Sequence, residues 1–160
     1  MTLPPELAAL FRRDLTRLRQ EIEAFSTETD IWKLVPGVSN SAGHLTMHLE
    51  GNLREYIGRQ IGGVAYTRNR PAEFQGPPKP RPELLAGIDL VLSLVPGVVA
   101  ALNEEHLAAP FPERVLGPEL STQQFLIHLY GHLAYHLGQI DYLRRVLTTA
   151  GAIDLARLPG

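Results

Sequence analysis

GHLTMHL at residues 43–49 returns as GHLAYHL at 131–137, and the shared pattern Gly-His-Leu-x-x-His-Leu holds four of the chain's six histidines. In each copy the imidazoles stand at i and i+4 (His44 and His48, His132 and His136), the spacing that stacks two side chains on one helix face. Each copy therefore predicts a helix. Two such helices are either halves of a duplicated unit or separate contributors to one place. The flanks decide between them: EGNLREYI follows the first copy and GQIDYLRR the second, without a match. Duplication is not supported.

Working outward, Pro4-Pro5 suits a helix start, and Leu7, Leu10, Phe11, Leu18, Ile22 and Phe25 then recur at helical spacing, predicting a first amphipathic helix over residues 4–25. STETDIWKLVPGVSN, 26–40, breaks the period at Pro36-Gly37, and Ser39, Asn40 or Ser41 offers an N-cap for a second helix from about 41 to 62. GGVAYTRNRPAEFQGPPKPRP, 62–82, has no apolar period and reads as a long connection. Leu85, Ile88, Leu92, Val95, Val99 and Leu102 keep phase through Pro96-Gly97, so the third helix is read as one kinked element. After an irregular stretch at 105–120, Ser121 with Gln124 forms a capping-box pattern, and a fourth helix runs to about 149, ending before Gly151.

Four helices of about 20 residues with no strand signal predict an all-α fold, a four-helix bundle. The long connection between helices two and three permits up-down-down-up order. The chain's 160 residues suit a single domain spanning 1–160.

Bulk composition excludes several function classes. Net charge is −2 and no run of Lys or Arg gathers on one face, so a nucleic-acid partner is not expected. Cysteine is absent, which removes disulfides, thiolate ligands and a cysteine nucleophile, and confines any metal to nitrogen and oxygen donors. The N-terminal MTLPPELAALFRRDL lacks the pattern of a signal peptide, and no segment approaches about 18 uninterrupted apolar residues. A cytoplasmic protein with no membrane partner is expected.

Helical geometry ranks the histidines. At roughly 100° per residue, the apolar centre of helix two lies about 100° from His48 and about 140° from His44. On helix four the apolar arc includes His136 and reaches His132, while His128 sits about 40° further out. His48, His132 and His136 are thus the inward set. Taken singly, each is also readable as a hydrogen-bonded core or surface histidine. Taken together, three neutral imidazoles on one side of a cation leave positions open for water or substrate, and suit Zn²⁺, Ni²⁺, Fe²⁺ or Cu²⁺. There is no His-Glu-x-x-His, since Leu45 stands where a zinc protease helix carries its glutamate. Asn52, Glu55 and Gln139 fall near the histidine faces and are candidate partners of the ligands.

At these residues the chain resembles the DinB/YfiT-like superfamily of metalloenzymes. WKLVPGVSNSAGHLTMHLEGNLREYI is similar to that family's first histidine segment, GGVAYTRNRPAEF to the connection that follows in one subfamily, and HLYGHLAYHLGQIDYLRR to its closing helix. The resemblance implies a four-helix bundle, often a homodimer, with one divalent metal (Zn, Ni or Fe) on His48, His132 and His136. Positions 44 and 128 carry no ligand in that pattern. It also implies a metal-dependent reaction on a small molecule, either S-transfer with a low-molecular-weight thiol or hydrolysis. The non-enzymatic alternative is a metal-binding, stress-associated assembly module. Tyr66, Arg68, Arg70 and Phe74 of the long connection offer charge and aromatic surface for a substrate pocket, or equally for a solvated loop or dimer contact.

Overall fold

Leu7, Phe11, Leu15, Leu18 and Ile22 form one buried stripe along α1 (Leu3–Glu23), with Pro4 in its first turn where no amide hydrogen bond is lost. The computed structural model of the chain describes residues 2–153. Six further α-helices follow among them: α2 (Glu28–Trp32), α3 (Ala42–Leu53), α4 (Arg70–Gln75), α5 (Arg81–Ala100), α6 (Glu104–Ala108) and α7 (Thr122–Thr148). The only pairing of strand type among the described residues is an isolated bridge, Pro110 to Ser121. The fold is all-α, and α1, α3, α5 and α7 are its long members.

The contacts between these four give their directions. Arg81 at the start of α5 reaches the carbonyls of Glu23 and Phe25 beyond the end of α1, and Arg19 bonds Asp89, so α1 and α5 are antiparallel. Arg13 meets Tyr130 and Glu21 meets Arg144, so α7 runs parallel to α1. Gly58 packs on Leu94 and Gly62 on Val98, while Glu50 lies against Gly87, so α5 runs parallel to α3. A parallel neighbour requires the chain to return the length of the helix first. Residues 60–80 make that return.

Three expectations need correction. The 62–82 connection is not wholly irregular: Asn69 caps α4 by accepting from the Ala72 amide, and Pro71 sits in its first turn. The segments at 26–40 and 105–120 likewise hold α2 and α6. Helix two is α-helical only to Leu53 and continues as a π-helical turn, Arg54–Arg59, with Gln60 bonded to the Glu55 carbonyl. The fourth helix ends as expected near 149 and before Gly151, with Thr149 (φ 56°) as its left-handed cap.

α5 passes through Pro96 as one helix. Its buried line is Leu84, Ile88, Val91, Val95 and Val99, with Leu85, Leu92 and Leu102 flanking it half-buried. By length and composition α5 is the one described helix apolar enough to cross a membrane, at mean hydropathy 1.9, and here it packs on α1 and α3.

Candidate metal centre

α3 begins at Ser41, whose hydroxyl accepts from the His44 amide while His44 Nδ1 accepts from the Ser41 amide. His44 thus completes a reciprocal cap, with its ring edge-on to Trp32 at 5.4 Å. The glycine before it is fixed by the same tryptophan, because a Cβ at Gly43 would sit 2.6 Å from the indole ring. A Cβ at Gly131, its counterpart in the second phrase, would meet nothing within 4 Å. The two phrases are alike in letters and unlike in task.

One turn after His44, His48 is buried and faces α7. Its Nε2 lies 3.1 Å from His132 Nε2, which lies 3.1 Å from His136 Nε2. His48, His132 and His136 each offer a nitrogen within 4.8 Å of the others, a group able to hold one metal ion. His128 is exposed and stacks on Phe125, with its ring centre 6.3 Å from that of His132. Neither His44 nor His128 is in the cluster.

The groups behind the rings fix the protons. His48 Nδ1 donates to Glu73 Oε2 at 2.8 Å, and His136 Nδ1 donates to Gln139 Oε1 at 2.6 Å. Both partners accept, so each ring carries its proton on Nδ1 and a lone pair on Nε2. His132 has at most one Nε2 proton for two lone pairs 3.1 Å away, and its buried Nδ1 has no hydrogen-bond partner. Such a donor set is satisfied by a shared cation and not by its own members, so the residues fit a divalent metal.

Electrostatics favour the same form. Burial, then the charges of His136 and His48, push His132 down to about 3, and burial pushes His136 down against the Gln139 bond. Both are neutral at pH 7, as ligands must be. Burial alone raises the Glu73 carboxyl, but hydrogen bonds from His48 and Arg68 win and hold it below the usual carboxylate range. Arg68 grips that carboxylate with both arms of its fork, Nε at 2.7 Å and Nη2 at 2.9 Å. Gly51 makes room: a Cβ there would collide with Glu73 Oε1.

Glu73 is the functional residue that sequence reasoning missed, and Asn69 followed by Pro71 was the available sign that a helix, not a loop, carries it. Glu55, offered as a partner of the ligands, instead pairs with Arg59 and Gln60. Asn52 is buried with its Oδ1 unpartnered, and Gln139 does support a histidine. Of the four connection residues, Phe74 lies against the His48 ring at 5.0 Å and Arg68 acts through Glu73, whereas Tyr66 lies under Arg54 and Arg70 over Phe74.

The helical bundle converges three imidazoles on one point, two of them braced from behind by an acceptor, which makes it a helical protein with a candidate metal centre. The chain belongs to the mycothiol-S-transferase family, whose model it matches over residues 6–149. Among solved structures it is similar to a DinB-like protein from Bacillus cereus, at 15% identity and TM-score 0.63, over 92% of this chain and 89% of that one, a likeness of fold. No curated protein matches it in sequence.

Proposed function

We propose that this protein is a metal-dependent S-transferase that joins a low-molecular-weight thiol to a small electrophile, with one divalent ion on His48, His132 and His136. The observation that supports it most is the convergence of three imidazole Nε2 atoms, 3.1 Å from one to the next, in a chain of the mycothiol-S-transferase family. A divalent ion held there supplies Lewis acidity that favours the thiolate of a bound thiol near neutral pH. Three protein ligands leave coordination positions for it. Arg68 and Glu73 hold His48 in the ligand tautomer, Gln139 does so for His136, and Phe74 covers one face of the His48 ring. Mycothiol is the first donor to test, and a cytoplasmic, homodimeric protein accompanies this reading.

The test is metal analysis of the purified protein and of His48→Ala, His132→Ala and His136→Ala, followed by conjugation assays with mycothiol, bacillithiol and glutathione. Stoichiometric metal lost in each variant, with thiol conjugation by the wild type, is expected. Full metal retention in all three variants removes the site. Metal binding with ester or amide hydrolysis, or with no turnover, replaces S-transfer by hydrolysis or by a binding role.

A further inference from the structure

A groove of about 550 Å³ opens beside His136, between the segment at 33–41 and α7. His136 and Gln139 are part of its wall, so a molecule seated there touches the candidate metal centre directly. The rest is mostly apolar: Val35, Val38 and Leu45 on one side, Tyr135, Tyr142 and Val146 on the other, with no Asp, Glu, Lys or Arg in the lining. Among the described residues, four of the ten exposed large hydrophobics, Val38, Tyr135, Tyr142 and Val146, meet in this one groove. Scattered exposed apolar residues are ordinary, but a concave cluster beside a reactive centre is what small-molecule sites are made of. The other side of the histidine cluster differs in kind. There Arg59, Arg68 and Arg70 line a second cavity together with Glu55 and Glu113.

We infer that the groove beside His136 is the acceptor pocket of the proposed S-transferase, and that it takes a neutral, apolar electrophile of drug-like size. The inference rests on that proposed function and names its substrate class. Tyr135 offers a ring face for stacking, as does the face of Tyr142 away from Arg145, whose guanidinium lies 5.2 Å from that ring's centre, and the lining itself holds no charged side chain to replace the hydration of an ionic acceptor. For an alkyl halide acceptor the thiol loses its proton to solvent and its sulfur forms a bond to the halogen-bearing carbon. The carbon–halogen bond breaks with its electron pair, giving a thioether, a proton and a halide ion with no change of oxidant or reductant.

Two acceptors sharing one reacting carbon test this: 4-tert-butylbenzyl chloride and 4-(chloromethyl)benzoate, each with mycothiol and corrected for uncatalysed reaction. The neutral acceptor is expected to have at least about tenfold higher kcat/KM. In the double variant Tyr142→Ser/Val146→Ser that preference falls about tenfold, while metal content and the KM for thiol stay as in the wild type. Both residues are more than half exposed, at 66% and 61%, so the variant keeps the core intact. Equal use of the two acceptors, or an unchanged preference in the variant, overturns the pocket while leaving S-transfer standing. Binding of the neutral dye N-phenyl-1-naphthylamine provides a readout that needs no turnover. If no thiol is transferred to any acceptor, the proposed function fails, and loss of dye binding in the variant still supports an apolar ligand groove. Dye binding equal in both proteins overturns it. Dissociation of a dimer by the variant, with selectivity unchanged, makes the face a subunit interface and overturns it too.

Discussion

Replacing Glu73 by Gln separates a ligand-supporting carboxylate from a merely structural one. The carboxylate accepts from His48 Nδ1 at 2.8 Å and from Arg68 at 2.7 and 2.9 Å. A glutamine has one acceptor oxygen for these two neighbours. If the oxygen stays with Arg68, the amide NH₂ faces His48 Nδ1 and favours the tautomer protonated on Nε2, which cannot bind metal. If the oxygen turns to His48, the NH₂ faces the Arg68 guanidinium. Loss of a partner behind a metal-bound histidine typically costs 10–100-fold in affinity, or about 1.4–2.7 kcal/mol. Breaking a buried ion pair costs about 3–5 kcal/mol, reduced here to about 2 because the glutamine keeps one bond and Arg68 reaches some solvent. The assay is competition for Zn²⁺ with a chromogenic chelator, beside urea unfolding in excess EDTA. Arg68→Met is the control, since it leaves the Glu73–His48 bond in place: it is expected to lose comparable stability but less than about threefold in affinity. A metal affinity in Glu73→Gln within twofold of the wild type, or an equal loss in both variants, refutes the role given to Glu73.

Four further outcomes follow from the same structure. His44→Ala keeps full metal content and loses about 1 kcal/mol of stability through the N-cap of α3, measured by metal analysis and denaturation. Thr149→Gly raises the stability by about 1 kcal/mol, because a β-branched residue at φ 56° is replaced by one that takes the left-handed region without strain, read as a rise in Tm. Metal-free protein loses stability as pH falls from about 6.5: His132, held down to about 3, stays neutral in the folded chain while the unfolded chain takes up a proton. The loss is about 2 kcal/mol by pH 4.5 after allowance for partial exposure, and a His132→Gln variant loses that much less of its stability over the same pH range. Loaded protein releases metal below about pH 6, where protons compete for the imidazoles, checked by dialysis at stepped pH.

What is legible in the sequence is the face that a residue takes on its own helix. Periodicity places His48, His132 and His136 inward and His44 and His128 off the cluster, because the face a side chain takes is set by spacing within one element. Ser121 with Gln124 forms its expected reciprocal cap for the same reason. Glu73 escaped because it is 25 residues from the ring it braces, and nothing local to RPAEF says that α4 folds back over α3. The glycines of helix two show the converse. Gly51, Gly58 and Gly62 permit close approach as their residue type suggests, but the neighbours are Glu73, Leu94 and Val98 of the same chain. The π turn at Arg54–Arg59 has no counterpart in the apolar pattern, since an extra residue in the hydrogen-bonded ring leaves composition unchanged.

The arrangement around His48 also explains why the first histidine phrase contributes one ring to the cluster and the second two. On α7 the ring at 136 is braced by Gln139 one turn further along the same helix, so a single long helix can present neighbouring imidazoles at i and i+4. On α3 the support for His48 comes from outside, from a carboxylate on α4 that is itself held by Arg68 and admitted by the missing Cβ of Gly51. His44, one turn earlier, lies at the helix start, where its ring nitrogen has an unsatisfied amide to accept from and Trp32 to rest on. Those local demands hold it in the cap. A ring drawn toward the centre instead would leave the Ser41 amide without that partner, a cost of about 1 kcal/mol at the cap alone. The second histidine phrase starts ten residues into α7, far from any helix end, so neither of its rings has a cap to serve and both are free to face the site.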